Sequence, residues 1–275
     1  MAGVLTVRQY FPNTEAADIA KEIYDRVDWN WMLNGENTFS MGWTPEHGFI
    51  AHRWDHYSEH LLLQILALGS NTHPVPKSVW QAWERGPTMV FEGEEYMTYP
   101  PLFVHQFSHA WLDFRDKNGD KDYWRNSVVA TRAHRQMFID LSSKFPHYGE
   151  NLWGLTSSDS QRGYIDWGGP PSHPSIDGTI VPCAAAGSIP FAPKETIAVL
   201  ETIQEKYGSL AASKYGFIDA FNPHNNWRSN YVIGIDVGIT VLMIENHRDG
   251  FVWEYFMRNK EVQRGMKKAG FELRD

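Results

Sequence analysis

Apolar residues recur every three to four positions in the segments 14–28, 55–69, 76–85, 101–115, 121–143, 193–207, 237–248 and 252–269, which predicts amphipathic helices along most of the chain. Local signals agree with the spacing. Pro76 precedes SVWQAW, Pro101 opens LFVHQFSHAWLDF, and Pro193 stands at the start of KETIAVLETIQEKYG, which reaches Gly208. The connections are long: 29–54 and 86–100 carry Gly, Asn and aromatic residues, and 146–192 holds six prolines and seven glycines. Loops of that kind carry function more often than they merely join elements. VDWNWML, TFSMGW, GFIAHRW and TMVFEGEEYMTY read as short hairpins within them. The pattern predicts a mainly α protein, and with no low-complexity linker dividing residues 1–275, a single domain.

Composition narrows the function classes. A formal net charge of -8, from 25 basic and 33 acidic residues with no basic run longer than two, gives no footprint for a nucleic-acid backbone. No segment approaches the roughly 18 apolar residues of a membrane span, and MAGVLTVRQYFPNTEAAD carries neither the basic leader nor the cleavage site of a signal peptide. Cys183 is the single cysteine, so no intrachain disulfide and no four-thiolate metal site can form. Against this plain background stand 12 Trp, 12 Tyr and 15 Phe. Flat faces with a polar edge suit sugar rings, although a tryptophan-rich core accounts for the count equally well.

Two places in the sequence concentrate acid chemistry. In RWDHYSEHLLLQILAL, a helix over 55–69 would set Asp55 and Glu59 one turn apart on a face shared with Leu62 and Leu66. Desolvation and mutual repulsion would then raise the pKa of at least one, as a general acid requires. The competing reading has one acid capping the helix and the other pairing with Arg53. Asp236 is alone in the apolar run YVIGIDVGITVLMI, where an ionised side chain is costly unless used or satisfied; capping the following helix is the structural alternative.

Metal patterns fall short. His105 and His109 stand at i, i+4, but Gln106 occupies the place of a zinc peptidase's glutamate base. His52, His56 and His60 read as polar contacts on one helical face. Asp116, Asn118, Asp120 and Asp122 match calcium-loop positions, yet Lys121 replaces the turn glycine and Ser127 the final glutamate. Neither a GxSxG nor a nucleotide-binding glycine motif appears, so no metal and no cofactor is expected.

The succession WNWML, MGW, RWDHYSEHLLLQILALGSNTHPVP, PPLFVHQFSHAWLDFRD, YGENLWGLTSSD, DGTIVPCAAAGSIPFAP, YGFIDAFN, YVIGIDVG, MIENHRDGFVWEYFMRN and VQRGMKKAGF resembles the bacterial glycoamylase-like domain family, in order over essentially the whole chain. The resemblance implies an (α/α)6 toroid of two concentric helix rings around a cleft. It implies action on β-linked glucan, as in the endo-β-1,2-glucanases (glycoside hydrolase family 144) and the transglycosylating domain of cyclic β-1,2-glucan synthases. Matching motif to motif puts the acid of the YSE segment on Glu59 and the base of the GID segment on Asp236. The expectation is therefore an endo-acting, inverting β-1,2-glucanase; its rivals are a transglycosylase and a non-catalytic glucan-binding fragment. Direct base action in inversion requires carboxyls roughly 6.5–9.5 Å apart. Trp29, Trp31, Trp54, Tyr57, Trp153, Trp167 and Trp227 are candidate stacking platforms, and Asp55, His105, Arg115, Glu150 and Asn222 are candidate partners for sugar hydroxyls. Relatives carry sequence ahead of the motif aligned with Met1, which implies that an early helix pair is missing and that any export signal lies upstream; the compartment they imply is the cell envelope.

Overall fold

The computed structural model describes residues 1–273. The helices are α1 (Ala2–Tyr10), α2 (Glu15–Asp25), α3 (Leu61–Gly69), α4 (Ser78–Gln81), α5 (Tyr123–Asp140), α6 (Pro182–Ala186), α7 (Pro193–Ala211), α8 (Gly234–Arg248), α9 (Phe251–Met257) and α10 (Lys260–Ala269). Strands occur only as two-stranded antiparallel pairs among the described residues, so the chain is mainly α as expected. Among the described residues no helix is long and apolar enough to cross a membrane. The chain divides into two compact units: Met1–Pro87 with Trp111–Tyr123 and Phe251–Asp275, and Thr88–Ala110 with Trp124–Gly250.

In the first unit α3 is buried along nearly its whole length, and it packs against α10 through two glycines. A Cβ on Gly69 would lie 1.9 Å from the Glu261 carbonyl oxygen, and one on Gly265 would lie 2.0 Å from that of Ile65. Cations from α10 then meet the C-terminal end of α3: Arg264 Nε donates to Gly69 O at 3.0 Å and Lys268 Nζ to Leu68 O at 2.9 Å. Both sit where the helix dipole favours positive charge. The single helix expected over 252–269 is broken because Asn259 turns its amide onto the carbonyls of Phe256 (2.8 Å) and Leu5 (3.1 Å), while its Oδ1 accepts from Arg8. Gly270, at φ 97°, ends α10 in the left-handed conformation.

Two further expectations change in this unit. Helix α3 begins at Leu61, not at 55. Residues 54–57 are instead held extended, with Glu84 N donating to Asp55 O at 2.8 Å and Tyr57 N to Glu84 O at 2.9 Å. VDWNWML forms a 3-10 turn, Trp31–Leu33, and the strands of this region are Trp43–Thr44 paired with Gly48–Phe49. The calcium-like segment holds no loop of converging oxygens: Lys117–Asn118 pairs with Glu272–Leu273, and Asp120 binds Arg85 (2.7 Å) and the Tyr123 hydroxyl (3.2 Å).

The second unit is organised on α5 and α7, which match the spacing of 121–143 and 193–207, although α7 runs through Gly208 to Ala211. The hairpin Thr88–Phe91 and Glu94–Met97 forms as expected, and its Tyr96 packs with Val129, Ala130 and Ala133 of α5. The helix expected over 101–115 is absent. Two 3-10 turns, Leu102–His105 and Ser108–Ala110, replace it, and Gln106 between them donates to Ala184 O and Ser188 Oγ, both at 2.7 Å. That side chain ties the segment to the end of α6.

Candidate functional site

Each unit holds one acid centre. In the first, Glu59 sits in the turn that leads from the extended segment into α3; its side chain is half-buried, and the Ser58 hydroxyl donates to it. Next to it in sequence, His60 is 2 % exposed and enclosed by the rings of Trp54 (5.6 Å) and Trp83 (4.9 Å), so burial holds its imidazole down at about 4. His60 Nε2 donates to His56 O at 2.9 Å and Nδ1 accepts from Gln64 at 3.3 Å, which fixes the neutral ring.

Asp55 does not share a face with Glu59. It is exposed and bonded to His56 Nδ1 at 2.9 Å, and that hydrogen bond lowers its pKa; His56 also lies 3.4 Å from Glu84 and is raised chiefly by Asp55. The two-carboxylate helix face expected from the sequence is thus replaced by a carboxylate–imidazole–carboxylate bridge.

The second centre is built on the first turn of α8. Ile233 is the N-cap, so Asp236 is not the cap; it is the third helical residue, with its backbone N–H donating to Ile233 O at 3.1 Å. Its side chain is half-buried, and Oδ2 is enclosed without a hydrogen-bond partner. Burial raises its pKa, against smaller lowering contributions from the neighbouring Cys183 thiol on α6 and the Asp219 carboxyl.

Asp219 was not singled out in the sequence, yet it is the most deeply buried acid here, 1 % exposed. Burial, and then repulsion from Asp236 and Asp159, moves it to about 7, while the backbone N–H of Asp159 donating at 2.8 Å opposes the rise. The Ser229 hydroxyl donates in turn to Asp159 at 3.1 Å. Cys183 is buried, and its thiol is pushed up by that burial and by Asp236. Tyr164 stands 67 % exposed within electrostatic reach of Asp219 and Asp236. A hydrogen bond from a protonated Asp219 stabilises Asp236 as the carboxylate and opposes the rise that burial produces.

The expected substrate contacts divide sharply. Tyr57, Trp153 and Trp167 are fully buried, so none has a ring face open to a sugar; Tyr57 stacks on Tyr123, and Trp167 Nε1 donates to Ser158 at 3.1 Å. Trp29 is likewise core. His105 is buried beside Asn126 and lowered to about 3 by desolvation. Asn222 is buried, giving its amide to Asp177 O at 3.1 Å and accepting from His224 N at 2.9 Å. Arg115 is bound to Asp113 at 2.9 Å and lies 4.1 Å over the Trp253 ring. Trp29, Tyr57, His105, Trp153, Trp167 and Asn222 are thus enclosed, whereas Arg115 is exposed and held by Asp113. Trp54 and Trp227 are half-buried, while Glu150 is exposed, 3.9 Å from Arg135.

Trp31, a candidate from the sequence, belongs to an aromatic surface whose other members the sequence reading did not name. Trp43 (46 % exposed) stands edge-on to Trp31 (48 % exposed) at 5.7 Å, beside Phe49 at 4.5 Å from Trp31. Two cavities lie elsewhere: one of about 430 Å³ walled by Trp80, Trp83 and Arg85, another of about 480 Å³ walled by Phe91, Thr131 and Arg132. Neither is lined by Glu59 or Asp236.

A family model named Glycoamylase, described as "Putative glucoamylase", matches residues 51–260. The chain belongs to that family. Glu59, Asp219 and Asp236 all fall in the matched span. Among curated proteins, the exo β-1,2-glucooligosaccharide sophorohydrolase (non-reducing end) of Parabacteroides distasonis is 27% identical over 303 residues, covering 97% of this chain and 42% of the relative. The chain therefore spans less than half the length of that protein. Among solved structures, the endo-β-1,2-glucanase of Chitinophaga pinensis, in complex with sophorotriose and glucose, matches with a TM-score of 0.88 at 29% identity, over 98% of this chain and 69% of that one. A protein of Bacteroides fragilis NCTC 9343 carrying the family's own description matches with a TM-score of 0.90 at 32% identity, over 100% of this chain and 69% of that one. The chain shares the fold of these glycoamylase-family structures.

Proposed function

We propose that this chain is a glycoside hydrolase acting on β-1,2-glucan, endo-acting and inverting, with Glu59 as general acid and Asp236 as general base. The observation that supports it most is the state of Asp236: a carboxyl within the family-matched span, raised in pKa by burial, in a chain whose relatives are β-1,2-glucan hydrolases. In this reading Glu59 gives its proton to the glycosidic oxygen as the bond to the anomeric carbon breaks. Asp236 takes a proton from water as the water oxygen bonds that carbon from the opposite face. One water is consumed, and solvent restores both side chains. Substrate contacts would come from the accessible candidates, Trp31, Trp54, Trp227, Asp55, Arg115 and Glu150, with Trp43 as an added platform.

The test is incubation of the chain, beside Glu59→Gln and Asp236→Asn, with linear β-1,2-glucan and a panel of other glucans, following reducing ends, product size and anomeric configuration. Oligosaccharides of mixed length from β-1,2-glucan, inverted and lost in both variants, are the expected result. Release of disaccharide alone would make the enzyme exo-acting. Chain-length redistribution without new reducing ends would make it a transglycosylase, and binding without turnover a glucan-binding protein.

A further inference from the structure

The segment that carries Glu59 is held at several backbone points, and one of them depends on a side chain. Residues 54–57 run extended: Trp54 N donates to Phe39 O at 2.9 Å, and the backbone of Glu84 holds Asp55 O at 2.8 Å and Tyr57 N at 2.9 Å. The carbonyl of His56, between those two anchors, is taken by His60 Nε2 at 2.9 Å. His60 is bound in turn to α3 twice, its carbonyl accepting from Gln64 N at 3.0 Å and its Nδ1 from the Gln64 side chain at 3.3 Å. Gln64 is fully buried, and the imidazole is enclosed by the rings of Trp54 and Trp83, so the link is packed along its whole length. It spans Tyr57, Ser58 and Glu59, of which Tyr57 is fully buried and Ser58 gives its hydroxyl to the Glu59 carboxyl.

We propose that His60 is a positioning residue for the general acid: its neutral ring closes the 56–60 turn and fixes the direction in which the Glu59 carboxyl is presented. This rests on the reading of Glu59 as the acid. The link needs a proton on Nε2 and a bare Nδ1, and each nitrogen has a partner that selects that form: a carbonyl that can only accept, and an amide N–H that can only donate. Burial supports the same state by disfavouring the charged ring. Proton donation to a leaving oxygen is sensitive to placement, since a shift of about 1 Å in a catalytic group can cost on the order of 100-fold. Opening the bridge frees the residues at the entry to α3, and the acid with them, while α3 keeps its buried packing. His60 holds no transferred proton itself; it acts through Glu59.

Dependence on the leaving group decides it. In the full chain, His60→Phe keeps an aromatic ring between the two tryptophans and has no donor, whereas His60→Gln keeps an Nε2 donor for the same carbonyl. On linear β-1,2-glucan, whose leaving sugar must be protonated, kcat is expected to fall about 50-fold in His60→Phe and to stay within about tenfold of wild type in His60→Gln, with KM within about twofold in both. On a dinitrophenyl β-1,2-glucooligoside, whose leaving group departs without a proton, His60→Phe should stay within about fivefold of wild type. Equal losses on the two substrates, no recovery in His60→Gln, or a change in KM alone overturns the positioning role. Glu59→Gln in the same assay is the control for the acid itself: it should lose activity on glucan and keep it on the aryl substrate. If it does not, or if the wild type turns over neither substrate, the assignment of Glu59 fails and the role of His60 falls with it. Should His60→Phe not fold, Gln64→Met replaces it, because it leaves the imidazole in place and removes the amide that selects its tautomer. The same contrast between substrates is then expected at about tenfold, and its absence overturns the role.

Discussion

Gly69 and Gly265 lie on facing sides of the α3–α10 crossing, each against the other helix's backbone: a Cβ on either would come within 1.9 or 2.0 Å of a carbonyl oxygen. Real carbon–oxygen contacts never approach that distance, so even alanine forces the helices apart. Gly69→Ala and Gly265→Ala are each expected to cost roughly 3 kcal/mol, read as a lowered denaturant midpoint. Gly238 in α8 is the contrast, because a Cβ there meets nothing within 4 Å. Gly238→Ala should gain up to about 1 kcal/mol from helix propensity alone. Equal effects at the three positions would refute the close-packed crossing.

Arg85 ties three partners together. Its guanidinium lies 3.5 Å from the Trp83 ring centroid, donates to the carbonyls of Trp83 (2.6 Å) and Trp80 (2.7 Å), and pairs with Asp120 at 2.7 Å. A lysine cannot make the planar stack and the fork together, so Arg85→Lys should lower stability by about 1–2 kcal/mol. Because Asp120 is committed to Arg85 and Tyr123, neither calcium nor a chelator should shift the thermal midpoint. A calcium-dependent rise in Tm would reinstate the metal loop.

His134 is buried in one tautomer. Nδ1 donates to Gly169 O at 2.7 Å, and Nε2 accepts the Leu155 N–H at 3.1 Å, so a second proton would face a donor; burial holds the ring at about 4. A depressed histidine contributes stability fully above about 6.5, its unfolded value, and loses it as pH falls toward 4. The loss is roughly 3 kcal/mol over that interval. His134→Gln should be less stable at pH 7 yet show a shallower decline between pH 6.5 and 4. Parallel declines would show that this ring does not titrate against folding.

Long amphipathic helices were readable in the sequence because one face of each repeats cleanly, as in α5 and α7. Helix α3 was not, since Leu61–Gly69 is buried on nearly all sides and its periodicity carries no mark of where the helix starts. The start is set by Glu84, whose backbone clamps Asp55 and Tyr57 from far along the chain. PPLFVHQFSHAWLDF failed for a related reason: it is apolar at helical spacing, but Gln106 serves α6 instead of a helical face. Asp236 was found as a lone acid in an apolar run. Asp219 in GFIDAF satisfies the same criterion, and a uniform application of that rule would have found both. The buried Tyr57, Trp153 and Trp167 show that aromatic type alone does not separate platform from core.

If the chain acts on glucan as proposed, the Trp31–Trp43 pair makes the sharpest test of where the substrate rests. Exposed indoles are costly to leave in water, and here two stand edge-to-face with Phe49 behind Trp31, an arrangement that holds the rings without occupying their outer faces. Sugar stacking on such a face is worth about 1 kcal/mol beyond area burial. Trp43→Ala should therefore raise KM for β-1,2-glucan about fivefold while leaving kcat and the unfolding midpoint close to wild type, because a ring nearly half exposed contributes little to the core. Trp31→Ala should raise KM similarly and cost more stability, since it also loses Phe49. An unchanged KM in both variants, with activity intact, would remove this surface from the substrate path and leave Trp54 and Trp227 as the candidate platforms.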